Sequence, residues 1–129
     1  MGNLDAASER PAIAIGHVRL EVSEVAAATD FFVTLGIRPI VTKAKFAVLE
    51  LRGGTHLILQ PATGKIPAGA EVPFDVMVDD VDRSRRDYAA RGIPVGEIER
   101  GKIHSRFQVT TPDGRLLTVT SSHAGDRAV

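Results

Sequence analysis

The chain has no cysteine and no tryptophan, and only 5% of its residues are aromatic. Without cysteine there is no disulfide scaffold, thiolate zinc site, iron–sulfur cluster or cysteine nucleophile. Excess charge is missing too: 16 basic residues meet 16 acidic ones, which leaves no basic face for DNA or RNA. No apolar run nears the 18 or more residues of a membrane span. The first eleven residues lack an apolar core, so residues 1–11 read as a flexible leader and not a secretory signal. No Gly-rich phosphate loop occurs, and no nucleophile elbow frames a serine. The expectation is a cytoplasmic protein that binds no nucleic acid or membrane, whose partner is a small molecule or a second copy.

What is present is a repeat. The 129 residues, 43% of them apolar, suffice for one domain with a real core. At a shift of 56 residues, Val22 falls on Val78, Val25 on Val81, Phe32 on Tyr88 and Gly36-Ile37 on Gly92-Ile93. At a shift of 60, Gly54, Leu57 and Leu59 fall on Gly114, Leu117 and Val119. Repeats of this kind signal one structural unit used twice.

Each copy reads as βαβββ. His17–Val22 alternates apolar and polar, a half-buried strand. Ser23 is placed to cap a helix carrying Val25, Ala28, Phe32 and Leu35 at helical spacing, and Gly36 to end it. Strands follow at Ile37–Lys43, Phe46–Leu51 and Thr55–Gln60, with Arg52-Gly53-Gly54 as a turn. After Pro61–Val72, rich in proline and glycine, the second copy offers a strand at Phe74–Val78 and caps at Asp79 or Asp80. A helix over Val81–Arg91 and strands at Pro94–Gly101, Ile103–Thr110 and Arg115–Ser121 follow, with a Pro112-Asp113-Gly114 turn. The organisation expected is an α+β domain over residues 12–121: module 12–61, linker 62–72, module 73–121, then a polar tail over 122–129.

The set resembles the vicinal oxygen chelate superfamily of glyoxalases, bleomycin-resistance proteins and extradiol dioxygenases. The resemblance is carried by Gly16-His17-Val18, Phe31-Phe32 with Leu35-Gly36-Ile37, Val78-Asp79-Asp80-Val81-Asp82, Gly92-Ile93 and Thr111-Pro112-Asp113-Gly114. It implies two tandem modules with curled mixed sheets around a cup, and for chains of this length a homodimer with shared cups. In metal-using members the first and last strands of each module face the ion. Here the resemblance places His17, Pro73, Ile58 and Thr118 at those positions, so three of four ligands are missing.

Strand alternation sends Leu57, Leu59, Phe74, Val76, Val78, Phe107, Val109, Leu117 and Val119 to the helices. It leaves His17, Arg19, Glu21, His56, Gln60, Asp75, Met77, Arg106, Gln108, Thr118 and Thr120 facing the cup, a polar set suited to a wet ligand site. Phe46 is the one aromatic named as a platform. Two functions stay open. One is a small-molecule binder of the drug-sequestering kind with no metal cofactor. The other is a metal-dependent lyase, thiol transferase or dioxygenase. It would use zinc, nickel, manganese or iron on His17, with His56 and a carboxylate such as Glu21 or Asp75. A metal-free acid–base variant on Glu21 or His56 lies between them. The arginines 83, 85, 86 and 91 read as a solvated helix face, and His104 and His123 as exposed.

Overall fold

A computed structural model describes residues 9–129. Most of the leader, residues 1–8, lies outside them. The elements in chain order are β1 (His17–Val22), α1 (Val25–Leu35), β2 (Arg38–Lys43), β3 (Phe46–Glu50), β4 (His56–Pro61), β5 (Val76–Val78), α2 (Val81–Ala90), β6 (Glu99–Arg100), β7 (Ser105–Thr110) and β8 (Leu116–Ser121). They form two four-stranded mixed sheets, ordered β1-β4-β3-β2 and β5-β8-β7-β6. This is an α+β fold of two βαβββ modules, each sheet curled and neither closed.

The strand pairing carries the repeat in its register. In the first sheet Leu20 lies beside Leu59 in the parallel β1–β4 pair. In the second, Val76 lies beside Val119 in the β5–β8 pair. These are the partners that the two sequence shifts give. Both helices end alike, because Gly36 and Gly92 have φ of 114° and 84°, open to glycine at little cost. At the first end the Gly36 and Ile37 amides reach the Val33 and Phe32 carbonyls; at the second, Gly92 and Ile93 reach Ala89 and Tyr88.

One face of each sheet makes the core. Leu20, Val22, Ala47, Leu49, Leu57 and Leu59 join Phe107, Val109, Leu117 and Val119 in a single buried cluster with Phe31, Phe32 and Tyr88 from the helices. That burial removes apolar surface from water at about 25 cal/mol per Å2. The Tyr88 hydroxyl donates to the Leu35 carbonyl at 3.0 Å, tying α2 to the end of α1.

Several local expectations need correcting. Ser23 does not cap α1; Glu24 holds that position without a side-chain cap, and the Ser23 amide points at Asp113 of the other module, 3.4 Å away. Asp80, by contrast, caps α2 by accepting from the Arg83 amide at 3.0 Å. The strand expected over Pro94–Gly101 shrinks to Glu99–Arg100 plus a bridge from Val95 to Val109. Pro94 has no amide to donate, and Arg85 instead takes the Gly96 carbonyl. The strand expected from Phe74 starts at Val76, and the one from Ile103 starts at Ser105 with Ile103 exposed. The linker is pinned over its last residues, since Ala70 and Val72 share backbone hydrogen bonds with Leu116.

Candidate functional site

The alternation that buries one sheet face leaves the other open. On the first sheet the register aligns four polar residues in a row, one from each strand. His17 of β1 lies beside His56 of β4, His56 beside Glu50 of β3, and Glu50 beside Arg38 of β2. Three strand spacings of about 4.8 Å make this row roughly 14 Å long. The His17 and His56 rings sit edge to face with centroids 6.0 Å apart. His56 Nε2 is 3.1 Å from Glu50 Oε1, and the Arg38 guanidinium pairs with the other Glu50 oxygen. The hydrogen bonds from His56 and then Arg38, with the arginine charge, hold the Glu50 carboxyl below its usual range. An ionised carboxylate only accepts, so Nε2 is the nitrogen that carries the proton.

The next row is different. Arg19 pairs with Ile58, Ile58 with Val48 and Val48 with Val41. Ile58 is buried and Val48 half-buried, so an apolar band runs beside the charged row. Beyond it Glu21 lies beside Gln60.

The second sheet repeats the face with other chemistry. Met77 lies beside Thr120, Thr120 beside Arg106 and Arg106 beside Glu99, with Arg106 Nε 3.0 Å from Glu99 Oε2. Gln108 Nε2 donates to Thr118 Oγ1 at 3.3 Å. Glu50 and His56 have Thr110 and Leu116 as their mates in the repeat, and these two are paired across β7 and β8. His17 and Arg38 have Pro73 and Pro94. The second module therefore has no counterpart of the charged row.

Apart from Thr120, which lies between Met77 and Arg106 on the second sheet, the expected cup residues fall into two groups. His17, Arg19, Glu21, His56 and Gln60 share the first face. Met77, Arg106, Gln108 and Thr118 share the second, with Asp75 just before β5. Among the described residues, no side-chain hydrogen bond joins the two polar faces. Contacts between modules come instead from turns and helices. Arg52 pairs with Asp79 at 3.0 Å, and the Arg115 guanidinium donates to the Glu21 carbonyl at 2.8 Å and pairs with Asp113 at 2.9 Å.

The repeat makes these two seams equivalent, but only one is sealed. The Arg115–Asp113 pair closes the first, leaving a cavity of about 130 Å3 beside Leu20, Val22 and Phe32. Arg115 and Asp113 have Thr55 and Gly53 as mates, so the second seam keeps about 690 Å3 between Val18, Leu35, Leu51, Val76 and Tyr88. Asp75 and Met77 also line this second cavity.

Sequence reasoning missed Glu50 and Arg38. The one available signal was that Glu50 is the single charged residue at the end of an otherwise apolar strand, Phe46–Glu50. His104 is another correction: its ring stacks on His123 with centroids 4.3 Å apart, and its Nδ1 is buried without a partner among the described residues.

No family model matches the chain, and neither does any curated protein sequence. Solved structures do. A lactoylglutathione lyase from Agrobacterium tumefaciens aligns at TM-score 0.70 and 21% identity, over 88% of this chain and 97% of that one. TnmS3, an antibiotic-binding protein from Streptomyces sp. CB03234, aligns at 0.72 and 22%, over 87% and 98%. A glyoxalase/bleomycin resistance protein/dioxygenase superfamily member from Sphaerobacter thermophilus aligns at 0.70 and 18%, over 85% and 98%. The chain has the vicinal oxygen chelate fold. The residues that the resemblance assigns to metal-ligand positions, His17, Ile58, Pro73 and Thr118, offer one imidazole. No cluster of three His, Asp or Glu suited to an ion occurs among the described residues. The donor set does not fit the superfamily's metal.

Proposed function

We propose that the protein is a cytoplasmic small-molecule binder that holds an oxygenated organic ligand against its polar sheet faces without a resident metal. The observation that carries this reading is the open face of the first sheet, where a charged row runs beside the Ile58–Val48–Val41 band. Such a surface offers hydrogen bonds to one edge of a ligand and apolar contact to its body. The likeness to an antibiotic-binding protein supports it. The cup is completed by a second copy, the first module of one chain facing the second module of its partner. Within one chain the polar faces make no hydrogen bond to each other, which favours that arrangement.

The test is a ligand and metal titration followed by thermal melting. An organic ligand at a hundred times its Kd adds about 2.7 kcal/mol and raises the Tm by several degrees. The expected result is such a shift from members of an oxygenated panel, lost in His17→Ala, with no shift from zinc, nickel, manganese or ferrous iron. About one ion per chain, lost in His17→Ala, would overturn the reading in favour of a metal-dependent lyase, thiol transferase or dioxygenase.

A further inference from the structure

The row across the first sheet ends in an imidazole whose two nitrogens are in different situations. His56 Nε2 is taken by Glu50 at 3.1 Å, and Glu50 is taken in turn by Arg38. His56 Nδ1 makes no hydrogen bond among the described residues, and the His17 and His56 rings are T-shaped to each other at a centroid distance of 6.0 Å. A carboxylate that fixes one ring nitrogen as the proton carrier leaves the lone pair on the other, and also stabilises the imidazolium when that lone pair takes a proton. A solvated surface histidine has neither constraint.

The row is specific to this module. The mates of Arg38, Glu50 and His56 in the second module are Pro94, Thr110 and Leu116, which share the backbone positions and lack the chemistry. The sheet therefore does not require these side chains.

We propose that Arg38 and Glu50 are positioning residues that make His56 a general base for a ligand carrying a removable proton, on a hydroxyl or on carbon next to a carbonyl. This rests on the reading that the ligand lies on the first sheet's polar face. In the step, the ligand's O–H or C–H bond breaks and an Nδ1–H bond forms. The electron pair stays on the ligand as an alkoxide or enolate, and Glu50 balances the new imidazolium. Return of the proton from Nδ1 completes a cycle that needs no redox partner. The Ile58–Val48–Val41 band beside the row keeps water from one side of the reacting group.

Ligand-free protein tests the relay, so its failure is separable from a failure of ligand binding. In protein labelled with 15N-histidine, the Nε2 proton of His56 is expected as a slowly exchanging, downfield signal, absent from His56→Ala. The same signal is lost in Glu50→Gln and broadened in Arg38→Gln. Diethyl pyrocarbonate reports the free lone pair, with His123 as internal reference. Carbethoxylation of His56 relative to His123 should rise in Glu50→Gln, because the imidazolium loses its counter-charge and Nε2 is no longer held by a carboxylate. A protected Nε2 proton that survives Glu50→Gln, or an unchanged carbethoxylation ratio in a variant that melts like wild type, overturns the relay. Should Glu50→Gln fail to fold, Arg38→Gln decides: an unaltered His56 signal there counts against the proposal. If the relay holds in ligand-free protein while the ligand panel binds elsewhere, it is the functional reading that falls.

Discussion

At the scale of single residues, Arg115 and Asp113 form the most buried ion pair among the described residues. Both side chains are about nine-tenths buried, and the guanidinium also satisfies the Glu21 carbonyl. Burial pushes the Asp113 carboxyl up. Hydrogen bonds from Arg115 and Thr111 and the arginine charge outweigh this and hold it below its ordinary value of 3.8. A carboxylate depressed in the folded state adds stability above its unfolded value and loses it as pH falls through the folded one. Asp113 should thus favour acid unfolding only below about pH 4. Arg115→Ala leaves a buried carboxylate without its cation, so a loss of about 3 kcal/mol is expected in urea unfolding at neutral pH. The loss should shrink as the pH falls and Asp113 is protonated. A flat difference across pH would show that Arg115 acts by packing alone.

Single residues also mark where the sequence was readable. Alternation alone places His17, Arg19, Glu21, His56 and Gln60 on one face, and the structure keeps them there. It does not reveal that Glu50 reaches His56, because that depends on which residues of β3 and β4 face each other across the turn at Arg52–Gly54.

The elements show one backbone plan filled with two chemistries. In α1, Val25, Ala28, Phe31 and Phe32 are buried, whereas in α2 only Val81 and Tyr88 are. The charges of α2 do more than form a solvated face. Arg100 pairs with Asp82, Arg91 reaches the Thr34 carbonyl at 2.7 Å, and Arg83 meets Asp87 at 3.9 Å. The last is a surface pair worth at most a few tenths of a kcal/mol.

Shared helix ends are the plan's fixed points. A Cβ at Gly92 would meet nothing within 4 Å, so any cost of substitution there is backbone strain at φ 84° and not a clash. Gly92→Val should lower stability by about 1–2 kcal/mol, and Gly92→Asn by less, because asparagine tolerates the left-handed region. Chemical unfolding of both variants checks the order. Equal stabilities would mean the helix end relaxes.

For the whole molecule, the proposed cup would join the first module's polar face to the second module's polar face of another copy. If the cup is shared between copies, His17→Ala spoils the first-module half and Arg106→Ala the second-module half. Each variant alone should bind no ligand. In a mixed dimer one cup carries both changes and the other carries neither, so refolding an equal mixture restores about a quarter of the binding capacity. A cup built within one chain restores none. Calorimetry of the mixture, with sedimentation to establish the dimer, separates the two.

The sequence by itself determined the repeat, the glycines that end both helices, the order of elements along each module and the side of each strand that faces the helices. These follow from local period and glycine placement, which short-range sterics enforce. Only the tertiary structure decided the rest. Cross-strand register joined Arg38, Glu50, His56 and His17 into one row. The packing of the modules buried Arg115 in one seam while leaving its counterpart open. Such contacts join residues as far as 94 positions apart, and no local pattern encodes which long-range partner a charged side chain finds.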